Sequence, residues 1–241
     1  MIIPDFIRRL SHLSWITQTI RALGLQNVAR NIYFYVGREG QNLLRISCCG
    51  VETKFTVRTP NQYRNVEAIA ISESTIAKVL KDYAHTGDIV YDVGSSLGFY
   101  TILLANVVGD KGLVVSFEPA EHLYCQLAEN IQVNGLRNVR PYQKALGEWN
   151  GQAELYLGDE STVSEPPRLT IPYKHGSGEK MIEVVVGDDF AIAKKLPVPR
   201  IIKIDVEGYE FAVLRGLKQT LSHPDCQLVC VKSIPTCCLQ M

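Results

Sequence analysis

The stretch from Asp88 to Pro119, DIVYDVGSSLGFYTILLANVVGDKGLVVSFEP, leaves the chain few ways to fold. An apolar run from Ile89 to Val93 meets a loop bounded by Gly94 and Gly98, then a helical pattern, then a second apolar run that ends at Glu118. Strand, tight loop, helix and strand in that order form a nucleotide-binding βαβ half. Glycines let the loop backbone come close to a ligand, and the amides that open the helix point into the space above the strand. Glu118 follows Gly98 by twenty residues, where a carboxylate accepts hydrogen bonds from ribose hydroxyls.

Two cofactor classes use this device. A dinucleotide lays its pyrophosphate over a G-x-G-x-x-G loop that has no acid beside it. Here the spacing is G-x-x-x-G, and Asp92 stands two residues before the first glycine. A carboxylate there repels a pyrophosphate and attracts the ammonium of a bound amino acid. S-adenosylmethionine carries that ammonium and no phosphate, so it fits the loop better. The competing reading is that Asp92 only caps the start of the helix. A dinucleotide-dependent oxidoreductase also stays open at this point.

Length and charge narrow the rest. The 241 residues suit one domain with an N-terminal extension, and 46% hydrophobic content is ample for a core. The split falls at residues 1–84 for the extension and 85–241 for the cofactor-binding domain. Acids and bases balance at 25 each, so nothing in the charge points to a nucleic-acid partner. Seven cysteines, an odd number with two adjacent pairs, do not make a disulfide framework, and reduced thiols in the cytoplasm are the expectation. Cys226 and Cys230 on one strand would lie roughly 13 Å apart, too far to share a metal ion.

Residues 1 to about 35 carry Ile3, Phe6, Ile7, Leu10, Leu13, Ile16, Ile20 and Leu23 at helical spacing. Arg8, Arg9, His12, Gln18 and Arg21 interrupt every apolar run, so the segment neither spans a bilayer nor serves as a signal peptide. It reads as an amphipathic helix packed on the catalytic domain, with peripheral membrane contact as the alternative. Leu43 to Arg58 reads as a β-hairpin around Gly50, Thr59 to Asn65 as a polar loop, and Val66 to Ala84 as a helix. Further on, Ala120 to Asn134 is a helix stopped by Gly135, and Val139 to Leu146 is a strand whose tail presents a small apolar surface to an adenine ring. Gln152 to Leu157 looks like a short extra strand, Gly158 to Lys180 a long loop, and Met181 to Val186 another strand before Gly187-Asp188-Asp189.

The second informative stretch is RIIKIDVEGYEFAVLRGL, beginning at Arg200. It reads as a buried strand, Arg200 to Glu207, that flows into a helix near Gly208. Alternation puts Lys203, Asp205 and Glu207 on one side of that strand and collects the acids at its carboxyl end, where open parallel sheets bind ligands. The plainer reading is that Glu207 and Glu210 complement the helix terminus and Lys203 neutralises Asp205.

DVGSSLGFYT, FEP, NGLRNV, KALGE and above all IKIDVEGYE resemble the FkbM family of S-adenosylmethionine-dependent methyltransferases, over roughly Asp88 to Val231. The resemblance implies a Rossmann-like class I methyltransferase, an α/β fold with a mostly parallel central sheet, and O-methylation of a sugar or small metabolite. Carried over by position, Asp92, Gly94 and Gly98 line the methionine part of the cofactor, with Ser95 making loop hydrogen bonds. Glu118 holds the ribose, Ala145 and Leu146 lie near the adenine, and Asp205 sits where cofactor and acceptor meet. The chain departs from the family pattern after its fifth strand, where Lys232-Ser233-Ile234-Pro235 replaces an acid followed by histidine and proline. A cofactor-binding remnant without activity therefore stays as an alternative.

Methyl transfer to a hydroxyl needs alignment of nucleophile, carbon and sulfur, and a base for the hydroxyl proton. Asp205 and Glu207 are the candidate catalytic residues, with His175 as a weaker one on the long loop. Metal is not expected, the alternative being a divalent ion held by Asp205 with Asp188 or Asp189. Five strands in the order 3-2-1-4-5 account for the central sheet and leave only Ser233 to Met241 for the hairpin that usually follows. The expectation is a truncated C-terminus, an exposed fifth strand and self-association through that edge.

Overall fold

The computed structural model describes residues 42–156, 168–170 and 179–232. These form two units that part between Ile76 and Ala77. The expected N-terminal helix, His175 and the tail after Lys232 lie outside the described residues.

In the first unit, β1 (Leu43–Cys48) and β2 (Val51–Thr56) form the expected antiparallel hairpin. Cys49 and Gly50 turn it, both at positive φ, as a two-residue turn with strand-like twist requires. Helix α1 (Pro60–Ser72) begins where a polar loop was expected. Thr59 caps it by accepting the Gln62 amide at 3.2 Å, and Pro60 at the first helical position gives up no hydrogen bond. Threonine followed by proline is the start signal that the apolar periodicity, which begins only at Val66, concealed. A second helix, α2 (Ser74–Tyr83), follows, so the single expected helix is two.

The second unit is built on β3 (Ile89–Val93), α3 (Phe99–Val108), β4 (Leu113–Phe117), α4 (Glu121–Val133) and β5 (Val139–Tyr142). The chain then makes β6 (Ala145–Gly147), β7 (Gly151–Tyr156), β8 (Arg168–Thr170), β9 (Glu179–Val186) and α5 (Gly187–Ala193). Strand β10 (Ile201–Ile204), helices α6 (Glu210–Gly216) and α7 (Lys218–Ser222), and β11 (Leu228–Val231) complete it. Five strands join in parallel in the order β11-β10-β3-β4-β5, the 3-2-1-4-5 arrangement read from its other edge. The chain leaves β3 toward β4 and returns to β10 on the opposite flank. That reversal opens a crevice at the carboxyl ends of β3 and β10.

One face of this sheet is wholly apolar. Tyr91, Val93, Val115, Phe117, Ile202 and Ile204 pack with Phe190, Val213 and Leu217, each side chain contributing about 1.5–3 kcal/mol on burial. On the other face, alternation and register align Ser116, Asp92 and Lys203 on three neighbouring strands. A polar row thus runs through the middle of the sheet. At the amino ends of the strands, Arg200 bonds Asp88 at 2.6 Å, the carbonyl of Tyr83 at 3.1 Å and Gln227 at 2.9 Å.

Three expectations are corrected here. Val139 to Leu146 is not one strand: the Lys144 amide turns back onto the Tyr142 carbonyl at 3.0 Å, and β6 leaves the central sheet to pair in parallel with β9. The long loop contains β8, which pairs with β7, and the strand expected from Met181 starts at Glu179, giving a second sheet in the order β6-β9-β7-β8. The strand expected to reach Glu207 ends at Ile204, because Glu207 and Gly208 take φ values of 52° and 99° and turn the chain into α6. Among the described residues β11 pairs only with β10. The five cysteines described are free thiols.

Helix α6 lies on β6 through two glycines. A Cβ at Gly216 would fall 1.8 Å from the Gly147 carbonyl oxygen. Gly216→Ala therefore forces backbone apart and costs about 2 kcal/mol or more, by the scale of overpacked cores, read as a lower urea midpoint at unchanged slope.

Candidate functional site

The loop after β3 is shaped by its backbone. Gly94, Ser96 and Gly98 take φ values of 78°, 51° and 96°, so left-handed residues alternate along it. Such alternation turns successive amides toward one concave side. The amides of Gly94 and Ser95 both donate to the Phe117 carbonyl at 3.0 Å, and the Ser95 hydroxyl donates to the Asp92 carbonyl at 2.8 Å. Buried Asn130 on α4 donates to the Leu97 carbonyl at 2.8 Å. Ser95 thus stitches the loop to the ends of β3 and β4.

A Cβ on Gly94 would sit 1.9 Å from the Asp205 carbonyl oxygen. Only glycine allows that approach. The Asp205 amide also donates to the Val93 carbonyl at 3.0 Å, so the glycine loop and the IDVEG turn are in backbone contact.

Charges fill the space beneath. Asp92 has no solvent exposure and accepts a hydrogen bond from Thr101 Oγ1 at 2.6 Å. Thr101 lies in the first turn of α3, whose N-cap is Gly98, so Asp92 meets a side chain there and not the helix amides that the capping reading required. Its other oxygen, Oδ1, makes no hydrogen bond of good geometry, yet Lys203 Nζ lies 3.4 Å away, close enough for an ion pair. The ammonium that Asp92 faces is thus the protein's own. Lys203 is 3% exposed, and its Nζ also lies 3.5 Å from Asp205 Oδ2, 3.3 Å from the Gly94 carbonyl and 4.7 Å from the centre of the Tyr100 ring.

Asp205 is partly open, its side chain 16% exposed, and Lys232 approaches the same Oδ2 at 3.4 Å. Both ammoniums lie on one oxygen. Glu207, expected beside it on a strand, stands instead in the left-handed turn, because β10 has already ended.

Glu118 is 5% exposed and bridges the two halves of the crevice wall. Its Oε2 accepts the Ser96 amide at 2.8 Å and its Oε1 the Ala120 amide at 2.9 Å. Burial pushes its carboxyl up to about 7, against the opposing pull of those two amides and of Lys203, while Asp92 adds to the rise.

Ala145 and Leu146 pack into the interior, 5% and 2% exposed, through the β6 strand that their segment unexpectedly forms. Beside them a cavity of about 390 Å³ opens between Pro119, Gln143, Lys144, Gln152, Met181, Ile182 and Glu183. Asp188 is committed elsewhere: its two oxygens accept the Gln219 and Thr220 amides at 2.7 and 2.9 Å, at the start of α7. Asp189 accepts from Asn150 at 3.3 Å. No cluster of acids, histidines and cysteines suited to a metal ion occurs among the described residues.

The site joins two motifs that sequence reading found separately, and it adds Thr101 and the double role of Lys203. The signal for Lys203 was its in-register place opposite Asp92, which exists only once the strands are paired.

The model of the methyltransferase FkbM domain matches residues 92–234. The hexuronic acid methyltransferase AglP of Haloferax volcanii is 26% identical over 175 residues, covering 71% of this chain and 67% of that protein. Methyltransferase 1 of Beauveria bassiana is 24% identical over 144 residues, covering 53% of this chain and 57% of that protein. A 23S rRNA (uracil-C(5))-methyltransferase, RlmD of Psychrobacter arcticus, is 32% identical over 88 residues, covering 34% of this chain and 16% of that protein.

The raised Glu118 value fixes a pH dependence. The folded state holds this proton more tightly than the unfolded chain, whose carboxyl sits near 4.5, so the stability it lends is full below pH 4.5 and is lost as pH rises through 7. Glu118→Gln removes that loss. Urea unfolding of parent and variant from pH 4.5 to pH 7.5 is expected to show a stability difference that changes by about 3 kcal/mol in the variant's favour.

Proposed function

Because this chain belongs to the FkbM methyltransferase family, we propose that it transfers a methyl group from S-adenosylmethionine to a hydroxyl of a sugar or small metabolite. S-adenosylmethionine is the cofactor, which supplies a methyl carbon made electrophilic by the adjacent sulfonium. The dinucleotide alternative gives way to this membership.

The residues suit that cofactor. The glycine loop is pinned to the ends of β3 and β4 by its own amides, and Glu118 stands at the end of β4 with its carboxylate directed by the Ser96 and Ala120 amides. In this reading the loop residues Gly94, Ser95 and Gly98 receive the methionine part and Glu118 the ribose. The adenine lies toward Ala145 and Leu146, over the open flank formed by Gln143 and Lys144. Asp92 acts on the cofactor through Lys203 and the loop, since its own carboxylate is enclosed.

Asp205 is the catalytic base. Its carboxylate would accept the acceptor's hydroxyl proton, while the bound cofactor would supply the electrophilic methyl group. The observation that carries this assignment is a partly open carboxylate, 16% exposed, held by Lys203 and Lys232 at the carboxyl end of β10 and joined to the glycine loop through its own backbone. Glu207, in the turn that follows, borders the acceptor side as a second catalytic candidate. A sugar-type acceptor is favoured by the relative named for hexuronic acid methylation, which shares most of this chain. No helix among the described residues is long and apolar enough to cross a membrane, and a cytoplasmic enzyme is the reading adopted.

The test is a transfer screen with methyl-labelled S-adenosylmethionine over hexuronic acids, neutral sugars, small alcohols, phenols and RNA. Label is expected in a sugar hydroxyl, and Asp205→Asn is expected to lower turnover at least a hundredfold while cofactor affinity by calorimetry stays within about threefold. Label appearing only in RNA, or full turnover by Asp205→Asn, overturns the respective part.

A further inference from the structure

Among the described residues Lys203 is the one buried ammonium at the site, and methyl transfer as described above makes no direct use of it. It lies 3.4 Å from Asp92 Oδ1 and 3.5 Å from Asp205 Oδ2, with the Gly94 carbonyl at 3.3 Å and the Tyr100 ring beneath. Its side chain is 4% exposed, against 0% for Asp92 and 16% for Asp205. The three groups form a ladder from the interior to the mouth of the crevice: a sealed carboxylate, a sealed ammonium, a carboxylate that opens outward.

Stability alone does not account for such a ladder. Removing three ionic groups from water costs more than a pair in good geometry returns, and apolar replacements of similar volume are commonly neutral or stabilising. What the arrangement does supply is position. Lys203 sits on β10 in register with Asp92 on β3, so both strands fix its root. The ammonium holds Oδ2 of Asp205 at 3.5 Å. Through the Gly94 carbonyl it holds the glycine loop at the same spacing.

We infer that Lys203 is a positioning residue for methyl transfer: anchored on Asp92, it orients the Asp205 carboxylate and fixes its distance from the loop that carries the cofactor. The inference rests on the assignment of Asp205 as the base. Lys232 is a second cation on Asp205, but it is 39% exposed and stands at the rim, where solvent screens it. Among the described residues, the charged groups within 4 Å of the Asp205 carboxylate are Lys203 on its own strand and Lys232 after β11.

The discriminating variant is the pair Asp92→Asn with Lys203→Met, in the full chain. It removes one charge of each sign, so no unpaired carboxylate is left in the interior and the protein is expected to unfold at the parental urea midpoint. Its turnover is read at saturating S-adenosylmethionine, because both residues also steady the loop that receives the cofactor. Turnover on the sugar that gives label in the screen is expected to fall at least a hundredfold while the KM for that sugar stays within about threefold. Lys203→Arg is expected to recover part of the turnover. Parental turnover in the double variant, or a loss confined to KM, overturns the inference and leaves Lys203 a packing residue.

A second readout needs no acceptor. Crystal structures of the parent and the double variant, both with S-adenosylmethionine bound, are compared at Asp205. A carboxylate turned away from its parental rotamer in the double variant supports the inference, and an unchanged rotamer overturns it. Failure of the O-methylation reading shows separately, as a parent protein that labels no hydroxyl.

Discussion

The contact on which the site depends is the approach of Gly94 to the carbonyl of Asp205. A Cβ there would sit 1.9 Å from the oxygen, so no other residue permits it. Because the approach is made, two motifs separated by more than a hundred residues share one wall. The parallel pairing of β3 with β10 sets the distance, and the Asp205 amide on the Val93 carbonyl continues that pairing one residue past the strand. The crevice at the switch of strand order is then narrow enough for a loop and an acid to face one ligand together.

Much of this was legible in the sequence because it rests on local patterns. The βαβ half announced itself by two apolar runs around a glycine loop, and the five-strand order followed from their spacing and from IKIDVEGYE. What was not legible depends on pairing or on backbone angles. The split of Val139 to Leu146 into β5 and β6 turns on one amide folding back at Lys144, and neither residue type nor alternation marks it. Glu207 looked like a strand residue because strand alternation continues through it on paper, whereas its positive φ ends the pattern. Only the start of α1 carried a readable sign that was passed over, the threonine and proline before Asn61.

The electrostatics divide in the same way. Asp92 was read as an acid placed to meet the cofactor's ammonium; in the structure it lies beside an ammonium of the protein itself. That the ammonium belongs to Lys203 follows from register, which aligns residues more than a hundred positions apart and leaves no trace in a linear reading. Burial of Glu118 is a similar case: its place at the end of β4 was evident, but the enclosure that raises its carboxyl to about 7 comes from the loop and the turn closing over it.

That enclosure makes the crevice wall a proton store. Near neutrality Glu118 is divided between acid and anion. Under the ribose contact proposed above, donating hydroxyls would select the anion. Loading would then expel a fraction of a proton into solution, and the heat of that event would carry the ionisation enthalpy of whatever buffer receives it. Loading would in this way be coupled to the surrounding acidity through a single carboxyl, with no moving part.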